Sequence, residues 1–277
     1  RNGGIRMPAV FAHDLFGRKV YRCLSPQIKK IIKENRDCFY LGLHGPDILF
    51  FYRALVKNPV AQKGYSMHSS SAADIFNRGL RILSSEEAGE YGSSIEAYLL
   101  GFACHYALDH SLHPFINEIT EHTSFTHAEL ETELDRRLLQ REGKDPLRTF
   151  TSCHIKCTRK TKRAAAMILG ESDKTTAEAI ISFRWVSRIF INSCKPFKRF
   201  IDLFLRAAGR YEEIHGMMMQ KEPVPGSGPI TNEMEKRFCQ AVRYGAFLTQ
   251  ALYATIHRGQ ELPAEFYGNF EGKDLES

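Results

Sequence analysis

The sequence predicts an all-α protein, a single multi-helix domain. Three observations carry this. Apolar residues recur at i, i+3 and i+4 over several segments of 12–20 residues, the period of a helix with one buried face. The β-branched alternation that marks strands is rare. Good helix starters stand at segment boundaries, as in Ser25-Pro26, where the serine caps the free N–H groups and the proline fits the first turn. At 277 residues, 43% of them hydrophobic, the chain can bury a large core.

The periodicity places helices at 8–23, 25–36, 37–43, 46–52, 68–83, 91–111, 124–141, 146–168, 173–193, 196–219 and 231–257. The first buries Val10, Phe11, Leu15 and Phe16 on one face. The second opens at the Ser25-Pro26 pair. Gly45-Pro46 separates two short apolar segments, and His68 is expected to open the 68–83 helix. The 91–111 helix contains the apolar run Tyr98 to Cys104, in which Gly101 and Ala103 let other helices approach closely. Pro114 cannot donate to the carbonyl four residues back. The helix should therefore kink or end there, swinging His113 toward the helix of His127. Thr126 or Ser124 can cap that next helix.

Loops are expected at 53–66 and 220–230. The second holds three prolines and two glycines and is the clearest break, yet too little helix follows it to form another domain. The domain is read as 7–277, with 1–6 an N-terminal extension or an expression remnant ahead of Met7-Pro8. The last fifteen residues are polar and expected to fray.

The formal charge of +6 suits an anionic substrate such as a phosphate ester without being extreme enough to imply nucleic acid. Seven scattered cysteines do not form a disulfide framework and fit a reducing compartment. Cys153 and Cys157 flank His154 with no second cluster, a weak structural-zinc signal. No run of 18 apolar residues exists, so no spanning helix is expected. With no apolar signal core before the first helix, the expected location is cytoplasmic.

The chemistry concentrates in one place. Eight of the eleven histidines lie in residues 13–127. His105-x-x-x-Asp109-x-x-x-His113 is followed by His127-x-x-x-Glu131, five residues of metal-ligand type within 27 positions. Residues four apart share a helix face, so each pair can grip one ion. His105 and His113 lie roughly 12 Å apart along one helix, too far for a single ion with bonds of about 2.1 Å. His105 and Asp109 should serve one ion; His113, His127 and Glu131 should serve another. The spacing therefore indicates a multinuclear metal site. His110 and His122 lack this support and are read as non-ligands. Asp47 can complement the macrodipole at a helix start, or act as ligand and base beside the first ion. His68 and His13, the latter on an amphipathic helix, would not pass as sites alone.

Taken in order, His13, Asp47, His68, His105-x-x-x-Asp109, His113 and His127-x-x-x-Glu131 resemble the bacterial zinc-dependent phospholipase C family, whose all-helical fold is shared with zinc-dependent single-strand nucleases. The motifs run from about Ala9 to Glu131. The resemblance implies Asp47, His68, His105 and Asp109 as ligands of one zinc, and His113, His127 and Glu131 as ligands of a second. It implies His13 as a ligand of a third with Asp109 bridging, and Asp47 as general base or as the group orienting the attacking water. Two departures stand out. The family gives an N-terminal tryptophan to the third zinc, whereas position 1 is Arg and the single tryptophan is Trp185. The secreted phospholipases also have a slightly longer gap between the aspartate and the next histidine than the three residues between Asp109 and His113. The shorter gap and the missing signal segment point to an intracellular branch of the family, whose substrate need not be phospholipid.

The expected activity is phosphodiester hydrolysis by a metal-activated water, with two or three zinc ions as cofactor. The expected substrate is a phospholipid or another phosphate ester, with peripheral membrane contact. Phe39, Tyr40, Phe50, Phe51, Tyr52 and Tyr65 either line a substrate pocket or fill the core. A nuclease or nucleotidase would use the basic cluster Lys156, Arg159, Lys160, Lys162 and Arg163, which a solvated helix face explains equally well. His13-Asp14 is similar to the HD phosphohydrolases, but no histidine precedes it. A helical interaction module that keeps metal only for stability is the non-enzyme alternative.

Overall fold

A computed structural model describes residues 9–54, 56–191, 216 and 218–273. Its α-helices are α1 (Val10–Cys23), α2 (Pro26–Glu34), α3 (Arg36–Gly42), α4 (Pro59–Ser69), α5 (Ala72–Leu83), α6 (Gly92–His122), α7 (His127–Arg141), α8 (Arg159–Leu169), α9 (Asp173–Ile191) and α10 (Gly228–Arg258). Short 3-10 turns cover Gly45–Phe51, Glu86–Tyr91 and Ala264–Tyr267. No strand occurs among the described residues, as the periodicity predicts. The expected helix at 196–219 lies almost entirely outside the described residues.

The long α6 is the axis of the molecule. It is wrapped by α1, α3, α5, α8 and α10, and its buried stretch runs unbroken from Ser94 to Asp109. The closest crossing is with α3. A Cβ on Gly101 would meet the Phe39 carbonyl at 2.1 Å, and one on Gly42 would meet the Tyr98 carbonyl at 2.1 Å. Two facing glycines thus let the helix backbones touch, and α3 delivers the following turn, residues 44–47, against the middle of α6.

Several expectations need correction. Residues 59–69 form α4 rather than loop: Asn58 accepts a hydrogen bond from the Ala61 N–H, with Pro59 just inside, a strong start signal. His68 consequently lies near the end of α4 instead of opening α5. The 46–52 segment is a 3-10 turn rather than an α-helix. Residues 146–158 are turns and loop; Asp145 draws the Leu147 N–H into a local turn, and α8 starts only after the Thr158 cap.

Of the kink or end expected at Pro114, the end does not occur, because the helix continues to His122. One missing hydrogen bond is outweighed by the burial of Leu112, His113 and Ile116. The C-terminal segment does not fray over 264–273: Phe266 and Phe270 are fully buried, and the Phe270 N–H donates to the His68 carbonyl.

Candidate metal centre

Each side chain of the centre is aimed by a local feature. His105, Asp109 and His113 follow one face of α6. Thr126 starts α7 with a reciprocal cap, its hydroxyl accepting from the Glu129 N–H while the Glu129 carboxylate accepts from the Thr126 N–H, so His127 and Glu131 fall on the first turns. Asp47 is placed by Gly45. The backbone there has φ +37°, and a Cβ would lie 2.4 Å from His105 Cδ2; only glycine allows both. Tyr98 of α6 donates to the Gly45 carbonyl at 3.4 Å, holding the turn down. His68 is oriented by its own helix: Nδ1 donates to the Gly64 carbonyl at 2.9 Å, leaving the Nε2 lone pair facing Asp47.

α1 is held from across the fold. Asp135, one turn beyond Glu131 on α7, accepts from the backbone N–H groups of Phe11 and Ala12 at 2.9 and 2.7 Å. It caps the helix that carries His13. Burial raises the Asp135 carboxyl to about 7, opposed by those two donors.

The structure brings together all eight residues singled out in the sequence. They form three groups, the first two sharing His105: His13, His105 and Asp109; Asp47, His68 and His105; His113, His127 and Glu131. Asp109 is the hub. Its Oδ1 lies 3.2 Å from His13 Nε2 and 3.8 Å from His113 Nε2. Its Oδ2 lies 3.2 Å from His105 Nε2 and 3.8 Å from His68 Nε2. Asp47 Oδ1 faces His68 Nε2 at 2.9 Å, and Glu131 Oε1 faces His113 and His127 at 3.5 and 3.4 Å.

These separations fit a metal. Ligand atoms on a tetrahedral zinc with bonds near 2.1 Å stand about 3.4 Å apart. His105 Nε2 is buried and makes no aligned hydrogen bond despite lying so close to Asp109. Lone pairs that converge on a common point rather than on each other are what a shared ion requires. Nitrogen and carboxylate donors suit zinc.

The charges point the same way. Burial would raise the Asp109 carboxyl, but His105, His113 and His13 hold it well below the usual carboxylate range. Burial would likewise raise Glu131, yet His127 and His113 bring it down to about 2. Burial would lower His113; Asp109 and Glu131 instead raise it to about 9. His105, the most enclosed, is pushed down to about 4 by burial, against the pull of Asp109 and Asp47. Without metal the centre therefore presents ionised carboxylates, a neutral His105 and a protonated His113, whose proton a dication must displace.

Some residues around the centre escaped the sequence reading. His44 is completely buried and shares a 2.8 Å hydrogen bond, Nε2 to Nε2, with His154. Burial lowers both imidazoles. The pair ties the 150–158 loop to the turn of Asp47. Phe270 lies against both His68 and His105, with ring centroids 5.2 and 5.7 Å away. Fully buried aromatics in a polar tail, Phe266 and Phe270, were the available signal. His110, read as a non-ligand, donates or accepts no metal-directed contact and instead bonds the Asn269 carbonyl through Nδ1 at 2.9 Å.

Other candidates resolve simply. Phe39, Phe50 and Phe51 are core residues, while Tyr65 is half-buried and stacks on Phe50 at 4.4 Å. Cys153 is exposed, and no metal-binding group among the described residues contains a cysteine. In the basic cluster, Lys156, Arg159 and Arg163 pair with Asp37, Glu90 and Asp173.

The family model described as zinc dependent phospholipase C matches residues 12–187 of the chain, a span that contains all eight residues of the centre. No curated protein and no solved structure matches.

Proposed function

The chain belongs to the zinc-dependent phospholipase C family, and from that premise we propose that it hydrolyses the phosphodiester bond of a phospholipid at this centre. The observation that carries the reading is the convergence of Nε2 atoms from five histidines on three buried carboxylates.

In this reading Asp47, His68, His105 and Asp109 would hold one zinc, His113, His127 and Glu131 would hold a second, and His13 with Asp109 would hold a third. Bound zinc lowers the pKa of water toward about 7 and neutralises phosphoryl oxygens. The chain's own residues do the rest. Asp47 orients water and receives its proton at a carboxylate oxygen. The Gly64 carbonyl keeps the His68 proton on Nδ1, so Nε2 stays available. Phe270 and Phe102 pack on His105 and exclude bulk water from the inner side. Water attacks phosphorus, the bond from phosphorus to the diacylglycerol oxygen breaks, and that oxygen takes up a proton.

Peripheral membrane contact is part of the proposal. No helix among the described residues is long and apolar enough to cross a membrane, whereas Ile181 and Trp185, one turn apart on α9, are exposed. The test is to incubate zinc-loaded protein with phospholipid vesicles and assay both diacylglycerol and water-soluble phosphorylated head group. Both products should form, and Asp47→Asn should abolish them while keeping the helical circular dichroism. Folded, zinc-loaded protein that releases neither product from any phospholipid overturns the reading.

A further inference from the structure

A second cleft, about 410 Å³ in volume, opens between α1, α2 and α3. None of its lining residues belongs to the metal groups. Four cations ring it: Arg18 and Arg22 of α1, Lys33 of α2 and Arg36 of α3. No carboxylate lines it. Its floor is apolar and aromatic, with Ile32 and Phe39 buried and Tyr40 half-buried.

Charge balance makes this unusual. Arg18 lies 3.0 Å from Asp14, but Arg22, Lys33 and Arg36 make no ion pair within 4 Å among the described residues, and Asp37 and Asp14 act on Arg36 only from further away. The basic cluster of α8 differs, since Arg159 and Arg163 are paired with Glu90 and Asp173. Arg36 is fixed in place, donating to the Tyr40 hydroxyl at 3.1 Å with its guanidinium 5.0 Å above the ring. Like charges gathered around a concavity repel one another, and an anion relieves that cost. Guanidinium groups match phosphate oxygens in geometry as well as charge.

We propose that the cleft between α1, α2 and α3 binds the phosphate group of an anionic ligand, with the ligand's apolar or aromatic part resting on Phe39 and Ile32. The site is separate from hydrolysis and does not depend on it. Two sources carry this chemistry, a soluble phosphomonoester and an anionic lipid head group, and the test distinguishes them.

Phenyl phosphate is titrated calorimetrically into zinc-loaded wild type and into the double variant R22E/K33E. Both replaced side chains are exposed and unpaired with acids, so the fold should hold; R22Q/K33Q, which only removes charge, is run beside it. In parallel, sedimentation measures binding to phosphatidylcholine vesicles with and without phosphatidic acid. A soluble ligand is indicated if wild type shows a binding class, beyond that of the metal centre, that weakens roughly tenfold or more in R22E/K33E. A lipid source is indicated if only the phosphatidic acid vesicles separate wild type from the variants. Hydrolysis of a short-chain phospholipid in solution should be unchanged in both variants. Identical phenyl phosphate binding and identical vesicle capture in wild type and variants overturn the proposal.

Discussion

The two ends of the metal centre are built differently. The inner end, where Asp47, His68 and His105 meet, is walled by α4, α6, the Gly45 turn and the Phe270 segment; the side chain of His105 is 0% exposed. The outer end rests on α6 and the first turns of α7, and the side chain of His127 is 15% exposed. Donors from three parts of the chain, the Gly45 turn, α4 and α6, fix the inner end, so its geometry is part of the core. The outer end depends on one helix start. A buried, closed arrangement favours retention and an open one favours exchange and access. The inner end should thus serve stability and catalysis together, while the outer end serves catalysis.

Replacing the hub should erase this distinction. Asp109→Ala removes the carboxylate facing both ends and leaves histidines buried without it. Breaking a buried charged network by removing one partner costs about 3–5 kcal/mol. Chemical denaturation should show a loss of that size, with metal content falling at both ends. A metal loss confined to one end would mean that Asp109 is not shared.

Gly45→Ala attacks the inner end alone. The positive φ and the close approach to His105 together should cost about 2 kcal/mol. Elemental analysis should show the inner zinc depleted and the outer retained. Unchanged stability and zinc content would show that the turn is more pliable than its contacts indicate.

His127→Ala should do the reverse. Stability should move by less than about 1 kcal/mol, as expected for a partly exposed side chain. Hydrolysis should fall by more than about 100-fold, since even residues that merely support a ligand cost 10–100-fold. A strongly destabilised variant would contradict the division between the two ends.

The outer end also carries a pH signature. His113 is raised from 6.5 to about 9 in the metal-free centre, so its stabilising contribution is complete below pH 6.5 and is lost as pH rises through about 9. Glu131 is lowered from 4.5 to about 2; its contribution is present above pH 4.5 and is lost as pH falls through about 2. Zinc must displace the His113 proton, so its affinity at the outer end should increase from pH 6.5 to 9. Competition with a chromophoric chelator measures this, and a flat profile over that range contradicts the assignment.

The smallest effect on metal binding belongs to Asp135. Asp135→Ala uncaps α1, worth about 1–2 kcal/mol, and should loosen His13 without touching either end directly. Thermal denaturation and zinc content together read it.

The sequence made the α6 and α7 donors legible because helical spacing converts directly into a shared face. His105, Asp109, His113, His127 and Glu131 needed no tertiary information. His13, Asp47 and His68 were legible only through their order along the chain, since each lies on a different element. The misses share a cause. Pro114 predicts a kink or an end, and the packing of α6 carries the helix past it; Asn58-Pro59 is a start signal that the weak amphipathicity of α4 masks. Asp135, His154 and Phe270 act over separations of more than 100 residues, as in the Asp135 bonds to Phe11 and Ala12, and no local pattern announces such contacts.

The most direct test of a two-ended metal centre is zinc release. Zinc-loaded protein would be dialysed against rising chelator concentrations, with residual zinc measured by elemental analysis for wild type and His127→Ala. In wild type the zinc of the outer end should be lost early and the zinc held by Asp47, His68 and His105 late, with the early loss missing in His127→Ala. A single step, identical in both proteins, would contradict it.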